Sequence, residues 1–482
     1  MRVRSLRPAL IAILGASPVL AAPATPDVAR QLEQSYADYL GRAAVESGVV
    51  KVAPQGDDYV VVWDLEKGAE LIGADPGAFH AATFAYRLTP TGDGAWRLAA
   101  DAFPTMTFDA PTDAGRFSAN VELSGFSLQG VYDPAQAEFL RAEIGVDAAH
   151  VKNSVVDSKQ NTAGDLVETG VKAEARAKSA DSGGVDLACV QRIAGMTETV
   201  VSGPVDGSAP ATLTYTVGAG TGEATLTGLR AAAIAEAWKY VVAHLDQPAP
   251  GPEFDAKLRA ALPLWTDFKG VGELNDFALS APFGHAKLAR LSETISLSGL
   301  TSLARAEFGL KFDGLSLDAP AAPAWTAKLI PASIDFDLKF SGGGFDKAAE
   351  IVLEDSSFAA SGDLSTEAQD KIAAALLAGD PKLILAPGRL TTPVLDLAFE
   401  GDLSATGGAP RGRLTITADS LDKALDLMRD AAASDPEAQT AIVALTYAKG
   451  LAKTLPDGRL GWTIEVSGSE VTVNGSPLPS GK

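Results

Sequence analysis

The sequence predicts an α+β protein that has curved, mainly antiparallel β-sheet, with amphipathic helices packed on one face of the sheet. Three observations lead to this fold class: long stretches in which apolar and polar residues alternate, a recurring glycine within those stretches, and a few well-marked helices. The chain has 482 residues, of which 46% are hydrophobic, and a single cysteine, Cys189. Because no internal disulfide is possible, burial must supply the stability, and Cys189 itself reads as a small buried hydrophobe.

Alternation of apolar and polar residues defines the predicted strands. Such a pattern is typical of antiparallel sheets that are buried on one face and solvated on the other. The segments with this pattern are 59–66, 83–90, 105–111, 117–132, 211–229, 294–303, 306–319, 333–344 and 394–421.

A glycine recurs at a similar place in three of these segments. It follows two alternating apolar residues and a polar residue in VELSGFSL (121–128), ISLSGLTS (295–302) and LKFDGLSL (310–317). Glycine inside a strand permits a bulge or a sharp bend, and several such bends along a chain would curl a long sheet. The pattern therefore predicts one curved β architecture used more than once.

Helices are predicted from capping residues and from apolar residues at helical spacing. Asp133 starts one helix, Thr366 and Gln369 have capping-box spacing in a second, and Ser420 and Asp435 start two more. The predicted helical segments are 133–145, 227–248, 365–381 and 420–453. These amphipathic helices need an apolar partner, and an exposed sheet face supplies one.

The first 21 residues have the form of an export signal. Arg2, Arg4 and Arg7 precede a short apolar run at 9–14, and small residues then predict cleavage between Ala21 and Ala22. The run is too short to span a bilayer, so a periplasmic protein with no integral membrane span is expected after cleavage. The formal net charge of −21 argues against nucleic acid and against docking on anionic head groups.

Composition shifts predict the domain boundaries. A β-rich domain is expected at 22–151 and an α+β domain at 185–482, with a weaker boundary at 246–253. The segment 152–184 is polar and short of large apolar residues, which predicts either a linker or a solvated helix.

Motifs for metal or cofactor chemistry are weak throughout. The four histidines, His80, His150, His244 and His285, are not at metal-ligand spacing, so no metal and no cofactor is expected. The glycine-rich segments 218–222 and 341–344 are interpreted as hairpin turns, because a strand and not a helix is expected after the first of them.

Hydrolytic motifs are equally weak, so no catalytic residue is assigned. Ser420 and Lys423 match an SxxK pattern, but a serine that caps a helix has an ordinary structural role. The acidic residues Asp335, Asp337, Asp396 and Glu400 occupy outward positions of alternating strands, and a solvated face explains them better than a catalytic carboxylate pair.

The segment from about 320 to 478 resembles a family of uncharacterised Gram-negative periplasmic proteins, the domain of unknown function numbered 2125. The segments that carry the resemblance are 329–355, the strand–turn–strand–helix unit at 399–428, and the closing strand pair at 458–478. This family is similar in style to AsmA-like envelope proteins. The resemblance implies a twisted sheet with packed helices and a lipid-facing apolar groove, and it implies no catalytic residues.

Three functions are consistent with the sequence. The leading hypothesis is non-enzymatic binding of a lipid or another apolar ligand, or service as an envelope scaffold that contacts an envelope protein. Four tryptophans would line such a groove, although each also suits a buried core: Trp238, Trp265, Trp325 and Trp462. The alternative is an envelope-acting hydrolase whose site is assembled from distant residues.

Overall fold

The computed structural model describes residues 24–112, 115–157, 160–181, 183–204, 209–244, 252–355, 363–405, 409–432 and 435–478. The predicted export signal, with Ala21 and Ala22, lies outside the described residues. Of the residues described, 53% are in strands and 24% in helices, and the sheet is antiparallel and curved. The β-rich, mainly antiparallel character predicted from the alternation is therefore confirmed.

Nine helices are described. They are α1 (Pro26–Leu40), α2 (Arg42–Glu46), α3 (Leu65–Leu71), α4 (Ala231–Ala243), α5 (Pro252–Ala261), α6 (Phe345–Glu354), α7 (Thr366–Ala378), α8 (Leu421–Ala431) and α9 (Pro436–Gly450), with a short 3-10 turn at Thr326–Lys328.

The described strands of the first half are β1 (Val50–Gln55), β2 (Asp58–Trp63), β3 (Phe79–Ala81), β4 (Phe84–Pro90), β5 (Trp96–Ala100), β6 (Met106–Thr112), β7 (Gly115–Ser124), β8 (Ser127–Asp133), β9 (Glu138–Asp157), β10 (Gln160–Ser179), β11 (Val185–Ile193), β12 (Gly195–Pro204), β13 (Ala211–Val217) and β14 (Ala219–Leu229). Those of the second half are β15 (Asp267–Ala281), β16 (Gly284–Ser298), β17 (Leu303–Asp313), β18 (Ser316–Asp318), β19 (Ser333–Gly343), β20 (Lys382–Thr391), β21 (Asp396–Ser404), β22 (Arg411–Asp419), β23 (Lys453–Thr454), β24 (Leu460–Ser467), β25 (Glu470–Val473) and β26 (Ser476–Pro477).

The chain divides into two compact units, residues 1–266 and 267–482. The boundary thus falls after the one predicted at 184, and it also follows the weaker boundary predicted at 246–253.

Unit 1 is built around two strands of 20 residues, β9 and β10, which pair with each other. Along its length β9 pairs first with β8 and then with β7, while β10 pairs first with β12 and then with β11. At a rise of about 3.3 Å per residue, each long strand runs for roughly 65 Å. Shorter strands continue the sheet outward from β7 and β8, and β13 and β14 continue it from β12 and β11.

The tightly packed core of unit 1 lies where α1 meets β2, β4, β5 and β8. Leu32 and Tyr36 of α1 are fully buried against Tyr59, Trp96 and their neighbours. The Tyr36 and Tyr86 hydroxyls are 2.6 Å apart inside it. Helix α1 forms because Thr25 caps it and Pro26 begins it, and its buried residues recur at helical spacing.

Unit 2 is an antiparallel meander interrupted twice by helices. The paired order is β15, β16, β17, β19, β20, β21, β22, β24 and β25. Helices α6 and α7 lie between β19 and β20 in the chain, and α8 and α9 lie between β22 and β24. As predicted, Asp435 caps α9, and its side chain accepts a hydrogen bond from the Glu437 amide at 2.9 Å.

The closing hairpin of unit 2 is held by Asn474. This residue has a φ of 53° and begins the turn between β25 and β26. Its side chain accepts a hydrogen bond from the Thr463 amide at 3.0 Å, and it donates to the carbonyls of Leu451 at 2.7 Å and Gly461 at 3.1 Å. The asparagine therefore ties the end of α9 to β24.

Two predictions of secondary structure are wrong. The helix predicted at 133–145 is a turn followed by the start of β9, because the Asp133 side chain accepts from the Ala135 amide and closes the turn. The linker or solvated helix predicted at 152–184 consists mainly of β9 and β10. Pairing with a neighbour on each side overrides the low strand propensity of its Ala, Lys and Asp residues.

Both glycine-rich segments also differ from the predicted hairpins. Residues 219–222 belong to β14, which pairs with β11 and not with β13, so the chain bends at Gly218 without reversing. Residues 341–344 lead from β19 into α6, with Gly344 at a φ of 83° before the first turn. A Cβ on Gly344 would lie 2.4 Å from the Ala375 carbonyl oxygen, so close approach of α7 explains this glycine.

Helix caps differ from the prediction in detail. Ser365, one residue before the predicted Thr366, caps α7 by accepting from the Ala368 amide at 3.1 Å. Ser420 precedes α8 as predicted, but it has a φ of 63° and its hydroxyl makes no capping bond.

Candidate functional site: the apolar faces of the two units

Each unit has a sheet face on which mainly apolar side chains form rows across the strands. In unit 1, the register aligns Met106 of β6, Val121 of β7, Val151 of β9 and Leu166 of β10, and the row continues through Glu198 of β12 to Tyr215 of β13. The apolar side chains of this row and those of the neighbouring rows together form a set that we call apolar face 1; the neighbouring rows contribute Phe79, Phe108, Phe117, Leu123, Ala149, Val155, Met196, Val200 and Leu213.

The side chains of apolar face 1 are only partly buried. Val155 is 39% exposed, and the phenyl rings of Phe79 and Phe108 contact each other while remaining partly exposed. Val217 is the one large apolar side chain of these described rows that is buried. A face of this kind leaves apolar surface in contact with solvent.

Unit 2 has an equivalent set of rows, which we call apolar face 2. One row aligns Ile295, Phe308, Leu338 and Leu385, and it continues through Leu414 and Ile464. Adjacent rows add Phe268, Leu297, Phe340, Leu383, Leu403 and Val466, then Leu310, Phe336, Phe399, Ile416 and Trp462, then Leu274, Leu291, Phe312, Ile334, Leu390, Leu397 and Leu460.

Burial in unit 2 is sparse for a sheet this apolar. Phe308 is 38% exposed, Leu297 is 39% exposed and Leu403 is 42% exposed. Among the residues described in this unit, the buried hydrophobic ones are alanines, Val473 and the α8 side chains Leu421, Leu425 and Met428. Most side chains of apolar face 2 are therefore only partly buried.

The opposite side of the unit 2 sheet is polar and ion-paired. Lys339 Nζ lies 2.8 Å from Glu307 Oε1, and Lys311 Nζ lies 3.0 Å from Asp335 Oδ2. Arg389 pairs with Asp396 in the same way. The hydrogen bond from Lys339 holds the pKa of Glu307 below its usual value, and the hydrogen bond from Arg389 does the same for Asp396. The solvated-face interpretation of Asp335 and Asp396 agrees with these contacts.

A line of bends crosses the long strands of unit 1, and we call it crease 1: Gly125, Asp147, Gly170 and Ala194, at adjacent register positions. Gly125 has a φ of 61° and Gly170 a φ of 59°. A Cβ on Gly125 would lie 2.1 Å from Asp147 Oδ2, and one on Gly170 would lie 2.7 Å from the Ala194 Cβ. Both positions require glycine for backbone angle and for space.

The crease keeps the apolar side chains on one face. In β7 the apolar residues have odd numbers, as in Phe117 and Val121, whereas in β8 they have even numbers, as in Leu128 and Tyr132. The same change occurs in β10, from Leu166 before the crease to residues 171, 173, 175 and 177 after it. An extra row of residues at the bend compensates for the change in phase, as a bulge does.

Unit 2 has a comparable line, crease 2, formed by Asp276, Ala289 and Gly314. Asp276 has a φ of 55° and Gly314 a φ of 73°, and a Cβ on Gly314 would lie 2.7 Å from the Ala289 Cβ. The bends predicted from the recurring glycine are thus found at Gly125 and Gly314. Gly299, in the third copy of the pattern, lies in the connection between β16 and β17.

The four predicted groove tryptophans are separated between the units. In unit 1, Trp238 Nε1 donates to the Tyr39 carbonyl at 3.0 Å, and the Trp265 indole nitrogen is buried without a hydrogen-bond partner among the described residues. In unit 2, Trp325 Nε1 donates to Asp435 Oδ2 at 2.7 Å and Trp462 Nε1 donates to the Ala448 carbonyl at 2.7 Å.

Of these four, Trp462 is the tryptophan that lies in a row of an apolar face, and its indole nitrogen donates to a carbonyl of α9. Trp238 joins α4 to α1, and Trp325 joins the 3-10 turn to α9. A groove lining formed by all four tryptophans therefore stays a prediction. The sequence analysis did not single out the phenylalanines of the rows. They could have been found from their positions in the apolar–polar alternation, because every second residue of a strand lies on the same face.

Cys189 lies on the continuation of apolar face 1 beyond crease 1. The register places it between Ala175 of β10 and Ala224 of β14, and the thiol is half-buried. Burial raises its pKa, and the nearby Glu138 carboxylate adds to that shift. Burial likewise raises the pKa of Glu138. The thiol therefore lies on the apolar side of the sheet, and it is only half-buried, whereas the sequence predicts a buried residue.

The motifs tested for chemistry have structural contacts. His150 Nε2 lies 2.6 Å from Asp165 Oδ1, and His244 Nδ1 lies 2.7 Å from the Tyr240 carbonyl oxygen at the end of α4. The Ser420 hydroxyl donates to Asp419 at 3.2 Å. Among the described residues, no three His, Cys, Asp or Glu side chains form a group that would hold a metal ion.

None of the described helices has the length and continuous apolar character that crossing a bilayer requires. The chain matches no protein-family model, no curated protein and no solved structure.

Proposed function

We propose that this protein is an exported periplasmic protein that binds a lipid or another long apolar ligand along its apolar faces, without catalysing a reaction. The observation that carries the proposal is the set of mainly apolar, partly exposed rows opposite an ion-paired polar side. Exposed apolar surface is costly in water, and ligand binding would remove it from solvent.

The proposal includes three expectations from the sequence. The N-terminal segment would direct export, the C-terminal part would be related to the periplasmic family that it resembles, and amphipathic helices would cover only part of one sheet face. Buried residues such as Leu425 and Met428 of α8 support partial cover, as does the bond from Trp462 to α9. A lipid-facing groove is what the AsmA-like resemblance implies.

A role as an envelope scaffold would use the same apolar rows to contact an envelope protein. The rows favour a chain-like ligand over a folded partner, because each side chain exposes only a modest apolar area and the exposed areas follow one another along the rows. The hydrolase alternative is not supported by a specific contact, since Asp335 and Asp396 are ion-paired on the polar side.

Extraction of the native protein tests this function. The full chain is exported in a Gram-negative host, purified without detergent and extracted with organic solvent, and the extract is analysed by mass spectrometry. A co-purifying lipid in a fixed ratio to the protein is the expected result. Protein that is folded and monodisperse but carries no lipid, and that takes up none from vesicles, would contradict the proposal.

A further inference from the structure

In the part of the strands that the structure describes, the charged side chains on the apolar side are all acidic. Among the described strand residues, Glu168 of β10, Glu198 of β12 and Glu293 of β16 occupy positions in the apolar rows. Beyond crease 1, Glu138 of β9 lies near the Cys189 thiol. No lysine or arginine of the described strands occupies an equivalent position. The basic strand residues lie on the polar side, among them Lys152, Lys269, Lys311, Lys339, Arg389 and Arg413.

Glu168 and Glu198 are close neighbours on apolar face 1. The register pairs Glu198 with Leu166 and Glu168 with Met196, so the two glutamates are diagonal neighbours on adjacent strands. Diagonal positions in an antiparallel pair are about 7–8 Å apart, within reach of long side chains. Tyr215 lies directly across from Glu198 on the other side.

Both glutamates are half-buried and, among the described residues, neither forms an ion pair. Several carboxylates of the polar side have a basic partner: Glu143 pairs with Arg141, Glu174 with Arg176, and Asp109 with Arg116. A carboxylate among apolar side chains loses hydration, and a cation beside it would offset that loss. The protein supplies such cations on the polar side.

We propose that the ligand of apolar face 1 is an amphiphile whose polar head carries a cationic group, such as an ammonium, which lies against Glu168 and Glu198. This inference rests on the proposed function and specifies its ligand class. The hydrocarbon chain would cover the rows that contain Phe117, Val121 and Val151, and the head would supply the cation that these glutamates lack.

Charge complementarity is the argument for this occupant. An anionic head group would approach two carboxylates with no basic side chain among the described strand residues of the same face, which is unfavourable. A neutral head would leave the carboxylates without a partner. A protein partner would need basic side chains beside its apolar surface. A cationic amphiphile meets both requirements in one molecule, with its head against the glutamates and its hydrocarbon chain along the rows.

A displacement assay with matched chains tests the inference. The neutral fluorophore N-phenyl-1-naphthylamine is bound to the full-length protein and is displaced by three dodecyl compounds below their micelle concentrations: dodecyltrimethylammonium, dodecyl maltoside and laurate. The expected order of affinity is cationic, then neutral, then anionic. Removal of each carboxylate should weaken the cationic ligand about two- to fivefold.

The variants Glu168→Gln and Glu198→Gln, alone and combined, locate the effect. The whole protein is acidic, so any cation is attracted to it, and the controls Glu174→Gln and Glu143→Gln remove the same charge from the polar side of the same sheet. The double variant Glu168→Gln/Glu198→Gln should lose the preference for the cationic ligand, whereas Glu143→Gln/Glu174→Gln should keep it.

The outcomes separate the two proposals. Failure of the fluorophore and of all three amphiphiles to bind would overturn the proposed function itself. Binding of all three with equal affinity, a preference for laurate, or an equal loss in the apolar-side and polar-side variants would overturn the ligand class and leave apolar binding standing. Unchanged unfolding curves for the Gln variants show that the readout reports binding.

Discussion

The core under α1 and the apolar rows of unit 2 have similar side chains but very different burial. Under α1, Leu32, Tyr36 and Trp96 have no exposed surface. On apolar face 2, Phe308 and Leu403 keep about two-fifths of theirs. This difference shows that the alternation of residues determines which side of a strand is apolar. Whether that side becomes buried core or stays accessible depends on a second layer of secondary structure packed against it.

The largest expected effect comes from truncating the sealed core. Trp96→Ala should lower the free energy of unfolding by about 3–5 kcal/mol, because the indole is fully buried and packs edge-on against Tyr59 with the ring centroids 5.8 Å apart. Phe308→Ala, on apolar face 2, should cost about 1–2 kcal/mol, since more than a third of that side chain is already in water. Urea unfolding followed by circular dichroism measures both; equal losses would break the comparison.

The closing hairpin should depend on polar contacts more than on burial. Asn474→Ala should cost about 2–3 kcal/mol, because it removes three hydrogen bonds and places alanine at positive φ. Asn474→Gly keeps the turn and loses the bonds, so its loss should be smaller. Thermal melts of the two variants compare them, and a full recovery of stability with glycine would show that the side-chain bonds contribute nothing.

Crease 1 joins the sealed core to the half-exposed rows, so a change there should affect both. Gly125→Ala should cost about 2 kcal/mol, since the new methyl meets the Asp147 side chain at an unfavourable φ. The control Gly222→Ala sits in β14 with no atom within 4 Å of its Cβ, and it should be neutral or slightly stabilising. Denaturant midpoints provide the measurement, and similar midpoints for both variants would refute the steric role of the crease.

The smallest expected effect is the pH dependence contributed by Glu138. Burial raises its pKa above the usual 4.5, so the folded state binds the proton more tightly than the unfolded state does. The stabilisation that protonation provides is complete below the unfolded value and is lost as the pH rises through the folded pKa. The stability of Glu138→Gln relative to the wild type should therefore increase as the pH is raised from acidic to neutral values. A gain of the same size for the exposed control Glu223→Gln would point to overall charge instead.

Much of the sheet could be predicted because alternation is local. Segments such as 59–66, 83–90 and 333–344 correspond closely to β2, β4 and β19. Residues 152–184 were misjudged because their strand character comes from pairing on both sides, with partners as distant as Pro204, and no local pattern reveals such partners. The Asp133–Pro134 pair indicated a helix start, although the same chemistry also closes a turn.

The candidate site was predictable in kind and not in detail. A lipid-facing surface was expected, but the tryptophans proposed for it mostly make hydrogen bonds at helix contacts, as Trp238 and Trp325 do. The rows of phenylalanine and leucine follow from register, and register depends on where Gly125 and Gly314 bend the chain. Sequence shows the glycines, whereas their alignment across strands requires the fold.

The most direct test of the central claim uses the single cysteine. Cys189 lies on the continuation of apolar face 1, so a bound chain that covers this face should slow its alkylation by a water-soluble maleimide. The matched control is Ala188→Cys/Cys189→Ala, which moves the thiol to the exposed neighbouring position on the polar side. We predict that a saturating long-chain amphiphile slows alkylation at position 189 severalfold and leaves position 188 unchanged. Unaltered alkylation at both positions, under conditions in which the amphiphile is bound, would contradict ligand binding along this face.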